Sequence, residues 1–377
     1  MAALAGPEGL ASRRAAAAER LQGASMPTTA EEVWRYGRID ELDLDRFEPA
    51  APATTVEHGE LGRATVATGD AAAALLPDAP AAGDALVWLH EALAIAPIVI
   101  DVPAGVVVED PIVIRHTGAA AGQAAAPHLV VRAGESSQVV VQEVFEGGGA
   151  GLLVPRTTLL VGAAAHVGYV GLQQLASTAW TLGRLEMTVE AQATVVAGLA
   201  GFGGDYARLR TDCHLVGRGA TGTLLAAYFG DGDQTLDYRT FQEHVAPDTT
   251  SNLLFKGTVS DRSRSVYTGL IRVGKQARGT NAFQTNRNIK LSEDAWAESV
   301  PNLEIENNDV HCSHASAVGP IDEEQRFYLE SRGVPTVVAE RLIVAGFFDE
   351  VFAAFPATAL RPTLDAAVAA KVQKVLA

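Results

Sequence analysis

The chain has 377 residues, 48% of them hydrophobic and only 6% aromatic, with 36 glycines and a formal net charge of −16. That charge repels phosphate backbones and no basic run interrupts it, which argues against nucleic acid as a partner. No stretch approaches the roughly 20 apolar residues of a membrane-spanning helix. Two distant cysteines, Cys213 and Cys312, form no disulfide framework and point to a reducing compartment, the cytoplasm.

The opening MAALAGPEGLASRRAAAAERLQGASMP carries Arg13, Arg14 and Arg20, yet Glu8, Glu19 and the lack of an uninterrupted apolar run distinguish it from a targeting peptide. It predicts a short amphipathic helix. Residues 8–48 read as polar and helical, and APATT marks a linker. From about 55 to 95 the pattern is mixed, with helices expected around DAAAALL and ALVWLHEALA.

After Pro97 the texture changes to short alternating runs separated by small-residue corners, as in PHLVVRAGESSQVVVQEV and LEMTVEAQATVVAGL. Corners at Ala133, Gly162, Glu190, Gly217 and Ala246 lie 29, 28, 27 and 29 residues apart; Ser260 and Gly274 then follow at steps of 14, and Ser292 after 18. Near-constant spacing of this length is a repeat signature. The scarcity of aromatics argues against a propeller, and a β-sandwich is the competing architecture. Small corners suit a parallel β-helix, whose stacked backbones approach closely. The expected organisation is a mostly helical region over 1–97, a parallel β-helix core over 98–319 and a helical region over 320–377.

IDEEQRFYLESRG begins the last region with Asp322 as an N-cap and ends on Arg332 and Gly333. PTVVAERLIVAGFFDEVFAAFP follows, with Pro335 in the first turn. Val338, Leu342, Phe348 and Phe352 recur at helical spacing, and Phe347, Val351 and Phe355 widen the apolar surface. A two-helix appendage this apolar must pack on the solenoid, bind a partner, or do both.

Four stretches carry candidate chemistry. GLAGFGGDYAR lacks the Lys-Ser/Thr of a phosphate loop and reads as a tight turn. GDGDQTLDYR gathers Asp231, Asp233 and Asp237, which would suit calcium or the acid/base pair of a β-helical carbohydrate-active enzyme, but an EF-hand count from Asp231 reaches Leu236 and Gln242 where Gly and Glu are required. Cys213 with His214 has no second ligand pair, and His58, His90, His116, His128 and His166 stand alone. NDVHCSHASAVG differs in kind. On a strand, alternation puts Cys312 and His314 on one face and His311 and Ser313 on the other. Thiolate and imidazole suit iron, zinc or copper(I), but two donors are only part of a four-coordinate site.

The stretches GDGDQTLDYRT, HVAPDTTSNLLFKG, QTNRNIKLSEDA, PNLEIENNDVHCSHASAVGPIDEEQRFYLESRGV and GFFDEVF resemble the SufB/SufD family of SUF iron-sulfur cluster assembly scaffolds, and within it the SufD form. MPTTAEEVWRYG is similar to the segment that opens the family's N-terminal helical domain. The resemblance implies a right-handed parallel β-helix between helical ends and a non-enzymatic scaffold. It implies pairing with a SufB-type paralogue and docking of a SufC-type ATPase on Phe327, Tyr328, Leu342, Phe347, Phe348, Val351 and Phe352. His314 falls on the family's functional histidine and Cys312 on a neighbouring cysteine, together a partial metal site. No cofactor is expected to be held stably by the chain alone. A transient iron-sulfur cluster at the SufB interface is implied, with a flavin in the complex and a homodimer in isolation as further options. Where SufB-like chains carry a functional cysteine this sequence has Ile305, which disfavours a SufB-like homodimeric scaffold. The chain departs from the family pattern at Ala315, where glycine is common, and at Pro335, where a serine cap is usual.

Overall fold

The computed structural model describes residues 6–376. Its chain alternates between two sheets, leaving one strand in each per coil, through about eight coils of a β-helix. By adjacency the first sheet runs Trp296–Ile305, Arg264–Val273, Thr235–His244, Tyr206–Leu215, Trp180–Val189, Arg156–Val161, His128–Ala133, Pro97–Val102 and Thr65–Thr68. The second runs Ala53–Glu57, Ile112–Thr117, Gln138–Gly147, His166–Leu175, Thr194–Gly201, Thr221–Gly230, Thr250–Val259, Thr280–Lys290 and Val310–Gly319. Neighbouring strands from residue 97 onward are parallel and belong to successive coils, which excludes the β-sandwich.

The repeat has a backbone cause. Ser136, Ala164, Gln192, Gly219 and Asp248 adopt left-handed φ values of 56°, 54°, 58°, 73° and 59°, each two or three residues after a predicted corner. There the chain turns sharply, and each turn hydrogen-bonds to the next: Ser136 N to Ala163 O, Ala164 N to Ala191 O and Gln192 N to Arg218 O. Inward side chains stack in register into rows. One row reads Ile100, Val131, Leu159, Met187, Cys213, Gln242, Ile271 and Leu303, apolar for five coils and then mixed. The first five form one buried core with the inward residues of the other sheet, including Val141, Val167, Val195 and Leu224.

The N-terminal region is less helical than the sequence suggests. Helix α1 spans Ala11–Gly23, but the following residues make only short 3-10 turns at Glu32–Trp34, Ile39–Glu41 and Leu44–Arg46. The Thr-rich, β-branched segments Ala53–Glu57 and Thr65–Thr68 pair antiparallel with Ile112–Thr117 and Pro97–Val102. Helices α2 (Gly69–Ala73) and α3 (Ala85–Leu93) lie where DAAAALL and ALVWLHEALA place them. Asp84 caps α3, accepting from the amides of Leu86 and Val87.

Three helices, not two, follow the last strand: α4 (Glu323–Ser331), α5 (Thr336–Phe352) and α6 (Arg361–Val375). Asp322 caps α4 as its sequence suggests, while Pro335 occupies the N-cap of α5 rather than its first turn. Phe348, Val351 and Phe352 of α5, with Leu364, Val368 and Val372 of α6, pack on Val170, Leu172, Phe202 and Phe229 on the outer face of the second sheet. Among the described residues no helix is long and apolar enough to cross a membrane.

Candidate functional site

The β-helix finishes on two strands that each pair on one side only, Trp296–Ile305 and Val310–Gly319. Cys312 and His314 lie on the second. Its register aligns Ala282 with Cys312, Gln284 with His314 and Asn286 with Ser316. Cys312 is half-buried, packed with Leu303 and Val310 against Ile271, Val273, Ala277 and Ala282. That packing identifies the inward face, and alternation carries His314 to the same face while His311 and Ser313 point out. Burial pushes the Cys312 thiol up, and hydrogen bonding with the Ala282 backbone pulls the other way. No further coil covers His314, so its ring is exposed.

Further along the same strand face, in the rows that end at Ser316 and Val318, the interior is polar. Asn288 donates to Asn286, whose amide donates to the Tyr228 hydroxyl, and that hydroxyl donates to Asn288 Oδ1 at 2.9 Å. Ile305 ends the neighbouring strand at 43% exposure and offers no donor atom. Among the described residues no group of three or more His, Cys, Asp or Glu side chains could hold a metal ion. Cys312 and His314 are thus an open pair on a strand with one free edge. They can supply one soft sulfur and one imidazole nitrogen to iron that reaches further ligands elsewhere.

Residues 115–347 match the family described as SUF system FeS cluster assembly, SufBD core domain. An iron-sulfur cluster assembly SufBD family protein of Mycobacterium tuberculosis is 36% identical over 269 residues, which cover 69% of this chain and 67% of that protein. The chain belongs to the SufBD family. The iron-sulfur cluster assembly protein SufD of Escherichia coli is 28% identical over 365 residues, 88% of this chain and 86% of its own. That of Bacillus subtilis is 32% identical over 160 residues, 42% and 37% of the two chains. The SufBD family is part of the SUF system, and the resemblance read from the sequence is to that family.

In this SufBD protein the three aspartates of GDGDQTLDYR go to separate tasks, and no acid/base pair forms. Asp231 holds Lys371 and Lys374 of α6, Asp233 pairs with Arg262 at the surface, and Asp237 is fully buried between Arg208 and Arg239. Cys213 packs in the core, where burial pushes its thiol up to about 12. His214 pairs with Glu243 on the flank. His116 is buried against Glu143, which also accepts from Thr157 and Tyr169.

The docking candidates divide by exposure. Phe327, Tyr328 and Leu342 are 70%, 57% and 52% exposed, and Phe347 is partly covered beneath the Lys256 ammonium. Phe348, Val351 and Phe352 face inward and hold α5 to the β-helix, so they cannot meet a partner while that packing persists.

Sequence reasoning missed the cluster around Asp237. This carboxylate accepts from Arg208, Arg239 and the Tyr206 hydroxyl, and both arginines also donate to the N-terminal segment, at Val33 O and Arg35 O. The Arg208 guanidinium carbon sits over the Trp34 ring, 3.6 Å from its centroid. Burial opposes the charge on Asp237, but the two guanidiniums outweigh it and hold the carboxyl below its usual range. EVWRYG and DYR were the visible traces: an aromatic-basic segment and an acid two residues before an arginine.

Proposed function

We propose that this chain is a SufD-type scaffold subunit of a cytoplasmic SUF complex, without catalytic activity of its own. Its β-helix end pairs with a SufB-type paralogue, and the C-terminal helices dock a SufC-type ATPase. His314, with Cys312, lends donors to a nascent iron-sulfur cluster at the subunit boundary. The cluster is cargo, formed there and passed on.

One observation carries this reading: a thiol and an imidazole share the inward face of a terminal strand that has a free edge. Two donors cannot complete a tetrahedral site, but a second chain continuing the coil would bring more. Ile305 supports the SufD-type role over a SufB-type one, because an aliphatic side chain neither ligates iron nor carries sulfur. A free strand edge is a ready template for a partner strand, and a boundary between subunits can be opened by moving them.

The test is cluster assembly by the complex reconstituted with SufB- and SufC-type partners. His314→Ala is expected to abolish or strongly slow it, and Cys312→Ser to weaken it. Unchanged assembly by His314→Ala would overturn the role given to the site.

A further inference from the structure

The row of inward side chains that ends at His314 begins as apolar packing: Val141, Tyr169, Ala197, Leu224 and Leu253. It then changes character at Gln284, the residue in register between Leu253 and His314. Gln284 is 1% exposed, and neither its Oε1 nor its Nε2 has a hydrogen-bond partner. The next two rows offer the contrast, since Asn286 and Asn288 are satisfied by Tyr228 and by each other. Gln242 is likewise unpaired, but its row ends at Leu303, which has nothing to offer it.

The space for the Gln284 amide is kept open. Across the interior lies Gly269, and a Cβ there would come within 2.2 Å of Gln284 Nε2. A buried polar group without a partner destabilises a fold, and an apolar side chain of the same length would avoid that. The next coil contributes His314 to this row, a polar group in register with the Gln284 amide.

We infer that Gln284 is a positioning residue for His314, accepting a hydrogen bond at its amide oxygen from the imidazole nitrogen that does not face iron. The inference rests on the scaffold reading of His314. A ligating imidazole needs its other N–H engaged, which fixes the tautomer and the ring plane and raises donor strength. In-register neighbours on parallel strands stand roughly 4.8 Å apart, a separation that an amide and an imidazole can bridge. When a partner covers the open coil and excludes water, Gln284 is the acceptor already in place.

The test compares Gln284→Met, which keeps length and removes the polar atoms, with Gln284→Glu, which keeps an acceptor oxygen, and with His314→Ala. Three measurements are made: cluster assembly in the reconstituted complex, thermal unfolding of the full chain, and the ring-nitrogen NMR signals of His314 in the complex. Gln284→Met is expected to slow assembly about 10- to 100-fold, to shift the tautomer balance of His314, and to leave the melting temperature equal or higher. Gln284→Glu is expected to restore most of the rate. Wild-type assembly by Gln284→Met beside an inactive His314→Ala would overturn this inference alone. A slow Gln284→Met variant with a large drop in melting temperature and an unchanged His314 signal would show a structural role and overturn it too. Wild-type assembly by His314→Ala would overturn the role given to His314 under the proposed function, and this inference with it.

Discussion

Lys371 of α6 reaches an outer corner of the β-helix, where its Nζ lies 2.7 Å from Asp231 Oδ1. Lys374 takes the other carboxylate oxygen at 2.6 Å, so a single acid ties the final helix to the solenoid. Burial opposes the charge on Asp231, but the two ammonium groups outweigh it and hold the carboxyl below its usual range. Its folded value is below its unfolded one. The contact therefore contributes above the unfolded carboxylate pKa of about 4 and is lost as pH falls through the folded value. Asp231→Asn is expected to release α6 at neutral pH. Faster amide exchange over 361–375, with the coil strands unaffected, is the signature; protection unchanged there would show that the apolar face of α6 suffices.

The Asp237 cluster makes a larger prediction. Removing a buried acid between two guanidiniums leaves uncompensated charge, and losses of about 3–5 kcal/mol are usual for a broken buried pair. Asp237→Ala should lower global stability by that order in denaturant unfolding. It should also expose 30–40 to proteases, because Arg208 and Arg239 hold that segment through Val33 O and Arg35 O.

Acid should destabilise the fold through its buried imidazoles. Burial brings His90 and His244 down to about 4, and both are neutral in the folded protein at pH 7. The Glu91 carboxylate opposes that shift at His90 while Arg156 and Arg13 reinforce it. In the unfolded chain each imidazole takes a proton below about pH 6.5. The unfolded state thus binds more protons between roughly pH 6.5 and 4, and stability falls by about 1.4 kcal/mol per pH unit for each group. Denaturation midpoints across that range test this. His244→Gln, which can keep bonds to Thr249 and Ser251, should flatten the slope.

The two thiols should separate cleanly. Cys213 is buried with its thiol pushed up to about 12, whereas Cys312 is half-buried at the open end. Alkylation at pH 8 should modify Cys312 in the native chain and both cysteines in denaturant. Protection of Cys312 when a partner is bound would place that partner over the open coil.

The β-helix was readable from the sequence because its corners require compact residues and left-handed backbone, and both recur at the coil length. The C-terminal caps were readable for the same local reason, as Asp322 and Gly333 show. Helix α6 was overlooked although Leu364, Val368 and Val372 recur every fourth residue, because alanines dilute that stripe. The Asp237 cluster had no local signature. Arg208 meets Asp237 across 29 residues, a contact created only by strand register. Gln284 likewise gains its meaning from alignment with His314, 30 positions on.

Exposure separates the apolar side chains of the C-terminal helices that a partner can reach from those that anchor the helices to the solenoid. Phe327 and Tyr328 on α4 and Leu342 on α5 present apolar side chains to solvent, while Phe348, Val351 and Phe352 are sealed against the solenoid. Apolar groups left this open in one region mark a contact site, and truncating a central aromatic or aliphatic anchor commonly loses 2 kcal/mol or more of binding, roughly 30-fold. Phe327→Ala and Leu342→Asp should therefore weaken capture of a SufC-type ATPase by about that factor with an unchanged melting temperature. Phe348→Ala should act differently. It removes a fully buried ring, so about 3–5 kcal/mol of packing is lost, and any loss of capture should come with unfolding of the helical region. Binding isotherms paired with melting curves distinguish the two classes, and equal capture by Phe327→Ala and Leu342→Asp would move the docking site away from this face.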